Sequence, residues 1–186
     1  HENEVLRMTV DQKNTKLVYT IKDKCRVCYT CVRECPVKAI KIINGQAEII
    51  QERCIACGNC TRVCSQGAKA FLNSSGNVLK MLEKEENVIA ILAPSFVSEF
   101  KEFDDYHELI GMIRELGFSK IVEVAFGADL VAREYRKIIK KKNVKGFISS
   151  DCPAIVSFIE KYHPDLLGNL APVVSPMIAL VRYLKS

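Results

Sequence analysis

The chain has 186 residues, of which 48% are hydrophobic, and its formal net charge at pH 7 is +5. This length allows one or two domains, and this hydrophobic fraction is enough for ordinary globular cores. The longest apolar run, residues 88–93, is far too short to cross a bilayer, and the opening His-Glu-Asn-Glu is unlike a secretory signal peptide, so we expect no membrane partner and a cytoplasmic location.

Eight of the nine cysteines form two copies of the spacing C-x2-C-x2-C-x3-C, offset by 29 positions. This spacing is typical of bacterial ferredoxins with two [4Fe–4S] clusters, in which the fourth cysteine of each copy binds the other cluster. The predicted ligands are Cys25, Cys28, Cys31 and Cys64 for cluster 1, and Cys54, Cys57, Cys60 and Cys35 for cluster 2. Ser65 replaces the proline that follows the first copy, which loosens that loop without removing a ligand.

Two other uses of these cysteines fit the pattern less well. Disulfides are disfavoured because cysteines this dense on short loops strain the geometry of a bridge. Zinc sites usually pair two separated C-x2-C hooks rather than a triple hook. Oxygen-sensitive clusters in a chain without an export signal suit the cytoplasm of an anaerobe.

The cysteines lie in a double repeat over residues 17–72. Each half has a short β-type run before its cysteines (residues 17–21 and 47–50) and a segment of small residues after them (37–40 and 66–70). We interpret each half as strand, cluster loop and short helix, which gives an α+β ferredoxin domain of the bacterial type. The polar residues that follow, 73–77, predict a linker or turn, so we set the domains at 1–76 and 77–186.

The second half of the chain alternates between strand and helix patterns. The predicted elements are strand 87–92, helix 103–116 ending at Gly117, strand 120–125, helix 128–142, strand 145–149 and helix 154–162. Such a series predicts an α/β domain with a parallel sheet and helices on its faces.

Ligands of parallel sheets gather beyond the carboxyl ends of the strands. The ninth cysteine, Cys152, follows the third predicted strand and therefore lies where this rule places a site. A lone cysteine is more often a small buried hydrophobe, and that interpretation stays open for Cys152 at this point.

Basic residues are concentrated near the end of the second predicted helix. They are Arg133, Arg136, Lys137, Lys140, Lys141, Lys142 and Lys145. We interpret them as a solvated helix face whose cations complement the helix dipole. Docking of an acidic redox partner by electrostatic steering is the alternative. No aromatic interleaving or known motif indicates a nucleic-acid partner.

Five short motifs of the second half, in this order and spacing, resemble the first half of the catalytic domain of [FeFe]-hydrogenases. They are residues 93–95 (Ala-Pro-Ser), 122–130 (Val-Glu-Val-Ala-Phe-Gly-Ala-Asp-Leu), 149–154 (Ser-Ser-Asp-Cys-Pro-Ala), 162–166 (Tyr-His-Pro-Asp-Leu) and 175–177 (Ser-Pro-Met). A two-cluster ferredoxin domain directly upstream is also that family's arrangement. The resemblance covers most of residues 17–180.

The resemblance implies that Cys152 is the first of four cysteines that hold the cubane of the H-cluster, in which a di-iron unit is joined to that cubane. It implies that Pro94 and Ser95 lie beside the di-iron unit with their backbone amides towards a cyanide. The implied reaction is the reversible reduction of protons to hydrogen, with the ferredoxin clusters relaying electrons from an external carrier such as a ferredoxin.

The sequence departs from the family in two ways. The chain stops before the other three cluster cysteines, so we expect an H-cluster only where the rest of the domain is present and expect this stretch alone to be inactive. Asp151 replaces the family's proton-shuttling cysteine, and Tyr135, Ile138 and Ala171 stand near the positions of its other relay groups. Asp151 is a candidate proton relay, with an N-cap of the following helix as the alternative.

These departures resemble the sensory branch of the family more than the high-turnover branch. Our first hypothesis is therefore part of a slow or sensory [FeFe]-hydrogenase-like oxidoreductase, with room for a downstream sensor or signalling domain. The alternative is an electron-transfer or redox- or hydrogen-sensing module that has no catalytic cluster of its own.

Overall fold

The computed structural model describes residues 16–84, 87–100, 105–140 and 146–186, and the chain divides into two compact units. The first unit ends at Asn73 and the second begins at Ser74. A helix already begins at Ser75, so the predicted linker or turn over residues 73–77 is wrong from that residue onward. The boundary between the two units therefore lies at the start of the predicted segment, and the rest of that segment is the first turn of a helix.

The described part of the first unit is built from short strands and helices. In chain order these are β1 (Val18–Thr20), a 3-10 turn (Lys22–Lys24), α1 (Thr30–Glu34), β2 (Ile40–Ile43), β3 (Gln46–Ile49), α2 (Asn59–Arg62) and β4 (Lys69–Phe71). β1 pairs with β4 and β2 pairs with β3, both antiparallel. Each pair joins one strand from each half of the sequence repeat, so the two halves form one structure.

The short helices expected after the fourth cysteines are a wrong prediction. A turn and then the start of strand β2 or β4 occupy those positions, and the helices α1 and α2 instead begin just before the third cysteine of each copy. Three of the four residues of β2 are the β-branched residue isoleucine. The strand is followed by a tight turn at Asn44 and Gly45, which have φ of 47° and 71°. An Asn-Gly pair with two positive φ angles favours a two-residue hairpin, and here it joins β2 to β3.

Small buried side chains form much of the core of the first unit. Ala39, Ala47 and Ala68 are almost completely buried, together with Val18. Their small size lets the antiparallel pairs and the cysteine loops approach closely. The buried polar residue recorded in the described core is Lys69, at the start of β4.

The second unit combines one pair of parallel strands with several helices. The described elements are α3 (Ser75–Lys84), β5 (Ile89–Leu92), α4 (Phe96–Glu99), α5 (Tyr106–Glu115), β6 (Lys120–Glu123), α6 (Val124–Lys140), α7 (Pro153–Tyr162), a 3-10 helix (Pro164–Asn169) and α8 (Pro176–Lys185). β5 and β6 run parallel in the register Ile89 to Lys120 through Leu92 to Glu123. Gly117 follows α5 with φ of +103°, which is the helix ending that the sequence predicts.

The third strand predicted for this sheet is not formed by its described residues, 146–149. Ile148 makes only an isolated parallel bridge to Leu170, through hydrogen bonds of 2.7 Å from its own N–H to Asn169 O and 2.9 Å from Ala171 N–H to its carbonyl. Lys145 lies outside the described residues. The segment therefore pairs with the chain that follows the 3-10 helix and not with β5 or β6.

Helix α6 begins directly after β6 and packs closely on α8. Gly127 in its first turn is buried, and a Cβ atom there would lie only 2.1 Å from the carbonyl oxygen of Pro176. Leu180 of α8 is fully buried beside it. In the part of the chain that the structure describes, no helix is both long and apolar enough to span a membrane.

Candidate metal centres

Each cysteine loop contains residues in the left-handed backbone region at equivalent positions of the repeat. Val27 and Ala56 have φ of 53° and 54°, and Tyr29 and Gly58 have φ of 60° and 75°. Residues other than glycine adopt this conformation only where the surroundings enforce it. The left-handed residues lie between consecutive cysteines, where they turn the chain so that the thiols of one copy line a common space.

The eight cysteines line two cavities of similar size, and each cavity takes three cysteines from one copy and one from the other. Site 1 is lined by Cys25, Cys28, Cys31 and Cys64. Site 2 is lined by Cys54, Cys57, Cys60 and Cys35. These are the two crossed sets that the spacing predicts as ligands. The crossing follows from the strand pairing, since β2 and β4 carry each chain half across to the other.

Backbone N–H groups point at the sulfur atoms of both sites. Ala39 N–H donates to Cys35 Sγ at 3.2 Å, and the repeat-equivalent Ala68 N–H donates to Cys64 Sγ at 3.3 Å. Such donors stabilise negative charge on a thiolate and are one of the means by which proteins set cluster potentials. The fourth cysteine of each copy therefore accepts an equivalent backbone hydrogen bond at its sulfur.

The thiols differ in acidity according to their surroundings. Burial raises the pKa of Cys60 to about 11, although the charge of Lys69 opposes the shift. Burial also raises the pKa of Cys31, again against the charge of Lys69. The exposed Cys28 has a lowered pKa because the hydroxyl and backbone N–H of Thr30 hydrogen-bond to its sulfur. Binding of a metal cluster to the buried thiols must therefore release protons.

The donor sets fit [4Fe–4S] clusters, which take one cysteine thiolate at each of four irons. Among the described residues, no three His, Cys, Asp or Glu side chains converge as the ligands of a single metal ion would. A cubane does not require that convergence, because its four thiolates bind four separate corners.

The candidate residues of the second unit lie in two places. Pro94 and Ser95 form the exposed turn after β5, where the carbonyl of Ser95 accepts a hydrogen bond from Ser98. Cys152 is exposed and is the N-cap residue of α7, so its interpretation as a buried hydrophobe is wrong. In the described residues no hydrogen bond joins Pro94 or Ser95 to Cys152.

Asp151 is held by two hydroxyl groups. Its carboxylate accepts a hydrogen bond of 2.9 Å from Ser149 Oγ and one of 3.1 Å from the hydroxyl of Tyr135 on α6. The residue at the N-cap of α7 is Cys152, and that helix start has no side-chain capping bond. The N-cap interpretation of Asp151 is therefore wrong, since the carboxylate faces α6 and not the N–H groups of α7.

The sequence places Tyr135 only near the position of a family relay group, whereas the structure makes it a residue of this site. Its hydroxyl accepts a hydrogen bond of 3.1 Å from Ser150 N–H, and its ring stacks on Phe147 with centroids 5.5 Å apart. Ser150 Oγ in turn donates to the carbonyl of Ala171 at 2.9 Å. Tyr135 thus holds the segment that precedes Cys152. Nothing in the sequence spacing indicates these hydrogen bonds, because they join Tyr135 on α6 to residues 15 and 16 positions later, in the segment before α7.

The basic residues of α6 lie on its solvated face, as the sequence predicts. Arg133, Arg136, Lys137 and Lys140 are exposed, and Lys137 pairs with Glu134 at 2.6 Å. Lys141, Lys142 and Lys145 lie outside the described residues. An exposed pair at this spacing contributes little to stability, so these charges stay available to solvent.

Comparison with known families assigns both units. The family model described as "4Fe-4S dicluster domain" matches residues 17–65, and the one described as "Iron only hydrogenase large subunit, C-terminal domain" matches residues 86–186. The second match spans more than half of the chain. The chain belongs to the [FeFe]-hydrogenase family. It is an iron–sulfur electron-transfer module related to these enzymes, and the predicted resemblance is confirmed.

Similar proteins include Iron hydrogenase 1 of Clostridium pasteurianum, which is 32% identical over 103 residues, or 50% of this chain and 18% of that protein. Cytosolic Fe-S cluster assembly factor NAR1 of Candida dubliniensis is 33% identical over 66 residues, or 34% of this chain and 11% of that protein. A solved [FeFe]-hydrogenase from a study of oxygen inactivation is 21% identical, with a TM-score of 0.46, over 57% of this chain and 31% of that one. The chain therefore matches less than a fifth of the length of Iron hydrogenase 1 and of NAR1, and about a third of the solved hydrogenase chain.

Proposed function

We propose that the chain is the electron-input part, and the beginning of the active-site domain, of a slow or sensory [FeFe]-hydrogenase-like oxidoreductase. The observation that carries this proposal is the pair of four-cysteine cavities in a chain whose second unit belongs to the hydrogenase family. Site 1 and site 2 would each hold a [4Fe–4S] cluster and relay electrons from an external carrier. An H-cluster, where the remaining ligands are present, would supply the reversible reduction of protons to hydrogen.

In this proposal Cys152 is a ligand of the H-cluster cubane, and Pro94 and Ser95 supply backbone to the same site. All three are exposed within the described residues, which leaves them accessible to a cofactor or to further chain. Cys152 lies on a segment fixed by hydrogen bonds of Ser150 to the carbonyls of Ala171 and Val173. A ligand on a fixed segment is better placed for a cluster than one on a free loop.

Asp151 is the proposed proton relay. A carboxylate that accepts hydrogen bonds from Tyr135 and Ser149 has neighbouring hydroxyls to which a proton can pass. In a complete enzyme, Asp151→Asn should slow hydrogen turnover, while the exposed acidic control variant Glu160→Gln on α7 should not. An unchanged rate in the Asp151 variant would contradict the relay role.

The first test of the proposal is the metal content of the chain. Anaerobic reconstitution should give about eight iron and eight sulfide per chain, together with an EPR signal after reduction. A sample that contains zinc or no metal at these thiols would overturn the proposal. Infrared spectroscopy of the full-length, maturated protein then tests the catalytic part, since iron-bound CO and cyanide give bands that no polypeptide group produces.

A second candidate is a module that transfers electrons or senses redox state or hydrogen without its own catalytic cluster. The similarity to a protein named as a cytosolic Fe-S cluster assembly factor favours it, because that name describes no hydrogenase. The same infrared measurement separates the two candidates. Clusters at sites 1 and 2, with no CO or cyanide bands after maturation, would establish the second.

A further inference from the structure

The two proposed cluster sites differ at one buried position. An offset of 29 residues superimposes the two copies of the repeat, and it places Lys69 at the position equivalent to Ile40. Both side chains are buried to the same degree, with 5% of their surface exposed. Ile40 lines the cavity of site 2 and Lys69 lines the cavity of site 1. An ammonium group therefore stands beside one site where the other has a hydrocarbon.

The residues that pair with Lys69 and Ile40 on the neighbouring strands also differ in polarity. Lys69 pairs with Thr20 across β4 and β1, whereas Ile40 pairs with Ile49 across β2 and β3. The Lys69 ammonium donates to Thr20 Oγ1 and to the carbonyl of Ala47, each at 2.5 Å. The Thr20 hydroxyl donates at 2.6 Å to the same carbonyl. The polar pair forms a small connected network, so Lys69 is specifically accommodated at this place.

The known contacts of Lys69 are with neutral oxygen atoms. The two ion pairs seen in the described part of the chain, Asp105 with His107 and Glu134 with Lys137, do not involve it. A buried cation without an anion is strongly unfavourable, because it has lost its hydration. A [4Fe–4S] cluster with four thiolates carries a charge of roughly −2 when oxidised and one more negative charge when reduced. Such a cluster in site 1 would supply the missing anion.

We infer that Lys69 makes the two clusters unequal by raising the reduction potential of the cluster in site 1 above that of the cluster in site 2. Reduction adds one electron to the cluster, and a fixed positive charge nearby favours the more negative, reduced state. Lys69 and its hydrogen-bond partner Ala47 line the cavity of site 1 and do not line the cavity of site 2. The inference rests on the proposed binding of clusters at both sites.

The test is a potentiometric titration of the reconstituted 186-residue chain, followed by EPR. Lys69→Met removes the charge and keeps a long apolar side chain. We expect it to retain the iron and sulfide of the wild type. We expect the higher of the two midpoint potentials to fall by at least about 59 mV, which is a tenfold change in a one-electron equilibrium. The gap between the two midpoints then narrows.

Two control variants separate charge from packing. Lys69→Arg keeps the cation and should keep the wild-type potentials. Lys41→Met removes an exposed cation from β2, next to Ile40, and should leave both potentials nearly unchanged because solvent screens it. If Lys69→Met fails to bind clusters, Lys69→Gln retains a polar side chain without the charge and should show the same fall.

Several results would overturn the inference. One is a fully loaded Lys69→Met or Lys69→Gln chain with wild-type midpoints. Another is loss of the clusters in both neutral variants. That result would show that Lys69 is required for cluster assembly and not for setting a reduction potential. Failure of the proposed function is distinct, because it appears first in the wild type as a chain that contains no iron or sulfide.

Discussion

Gly127 in the first turn of α6 gives a sharp test of the packing in the second unit. It belongs to one of the motifs shared with the hydrogenase family, and the structure gives it a packing role. The change Gly127→Ala would add a Cβ atom 2.1 Å from the carbonyl oxygen of Pro176 and 3.0 Å from Cβ of Leu180. The first distance is far inside van der Waals contact and involves backbone, so α6 and α8 must move apart.

Two opposing effects determine how much Gly127→Ala changes the free energy of unfolding. Alanine is favoured over glycine inside a helix by about 1 kcal/mol. Overpacking in a close-packed core costs about 1–3 kcal/mol, and a clash with backbone belongs at the upper end because a rotamer change cannot relieve it. We therefore expect Gly127→Ala to lower the free energy of unfolding by about 1–2 kcal/mol.

Gly111 in α5 provides the matched control. It is also a helical glycine, but it is exposed and a Cβ atom there meets no atom within 4 Å. Gly111→Ala should thus keep only the helix-propensity gain and raise stability by about 0.5–1 kcal/mol. The assay is urea unfolding of the full chain followed by far-UV circular dichroism, which reports mainly the helices of the second unit. Equal or higher stability of Gly127→Ala relative to wild type would refute the close contact between α6 and α8.

Three further predictions concern single side chains. Cys35→Ala should abolish the cluster of site 2 and spare that of site 1, and Cys64→Ala should do the reverse; iron analysis with EPR would contradict the crossed sets if each variant lost the cluster of its own copy. Asp105 caps α5, and the backbone N–H of His107 holds its pKa below the ordinary value, so its stabilisation is present above the unfolded-state pKa and is lost as pH falls through the folded-state pKa. Asp105→Ala should consequently lower the melting temperature at neutral pH, with the difference from wild type shrinking in acid; a constant difference would exclude this linkage. Tyr135→Phe removes a part-buried hydroxyl and should cost about 1–2 kcal/mol of stability in urea unfolding, whereas no loss would show that its hydrogen bonds are replaced by water.

Some features of this chain were readable from the sequence because they depend on residues close together. The spacing of the cysteines fixes how far apart thiols can stand on one loop, and it led to the same groups of four that line the two cavities. Strands β5 and β6 and helix α7 also lie where hydrophobic patterning predicts them. The Asn44–Gly45 pair is also a hairpin signal in the sequence, and it favours a strand on each side, as β2 and β3 are.

Other features were decided by contacts between residues far apart in the chain. Lys69 reads as a surface residue from its type alone, and only the pairing of β4 with β1 buries it beside site 1. The hydrogen bond from Tyr135 to Asp151 and the β-bridge from Ile148 to Leu170 likewise depend on how helices and loops pack against one another. Local patterning determines which residues can bind metal or form a helix. Packing determines which charge lies next to which ligand, because the energy of a buried charge depends on all of its neighbours and not on its position along the chain.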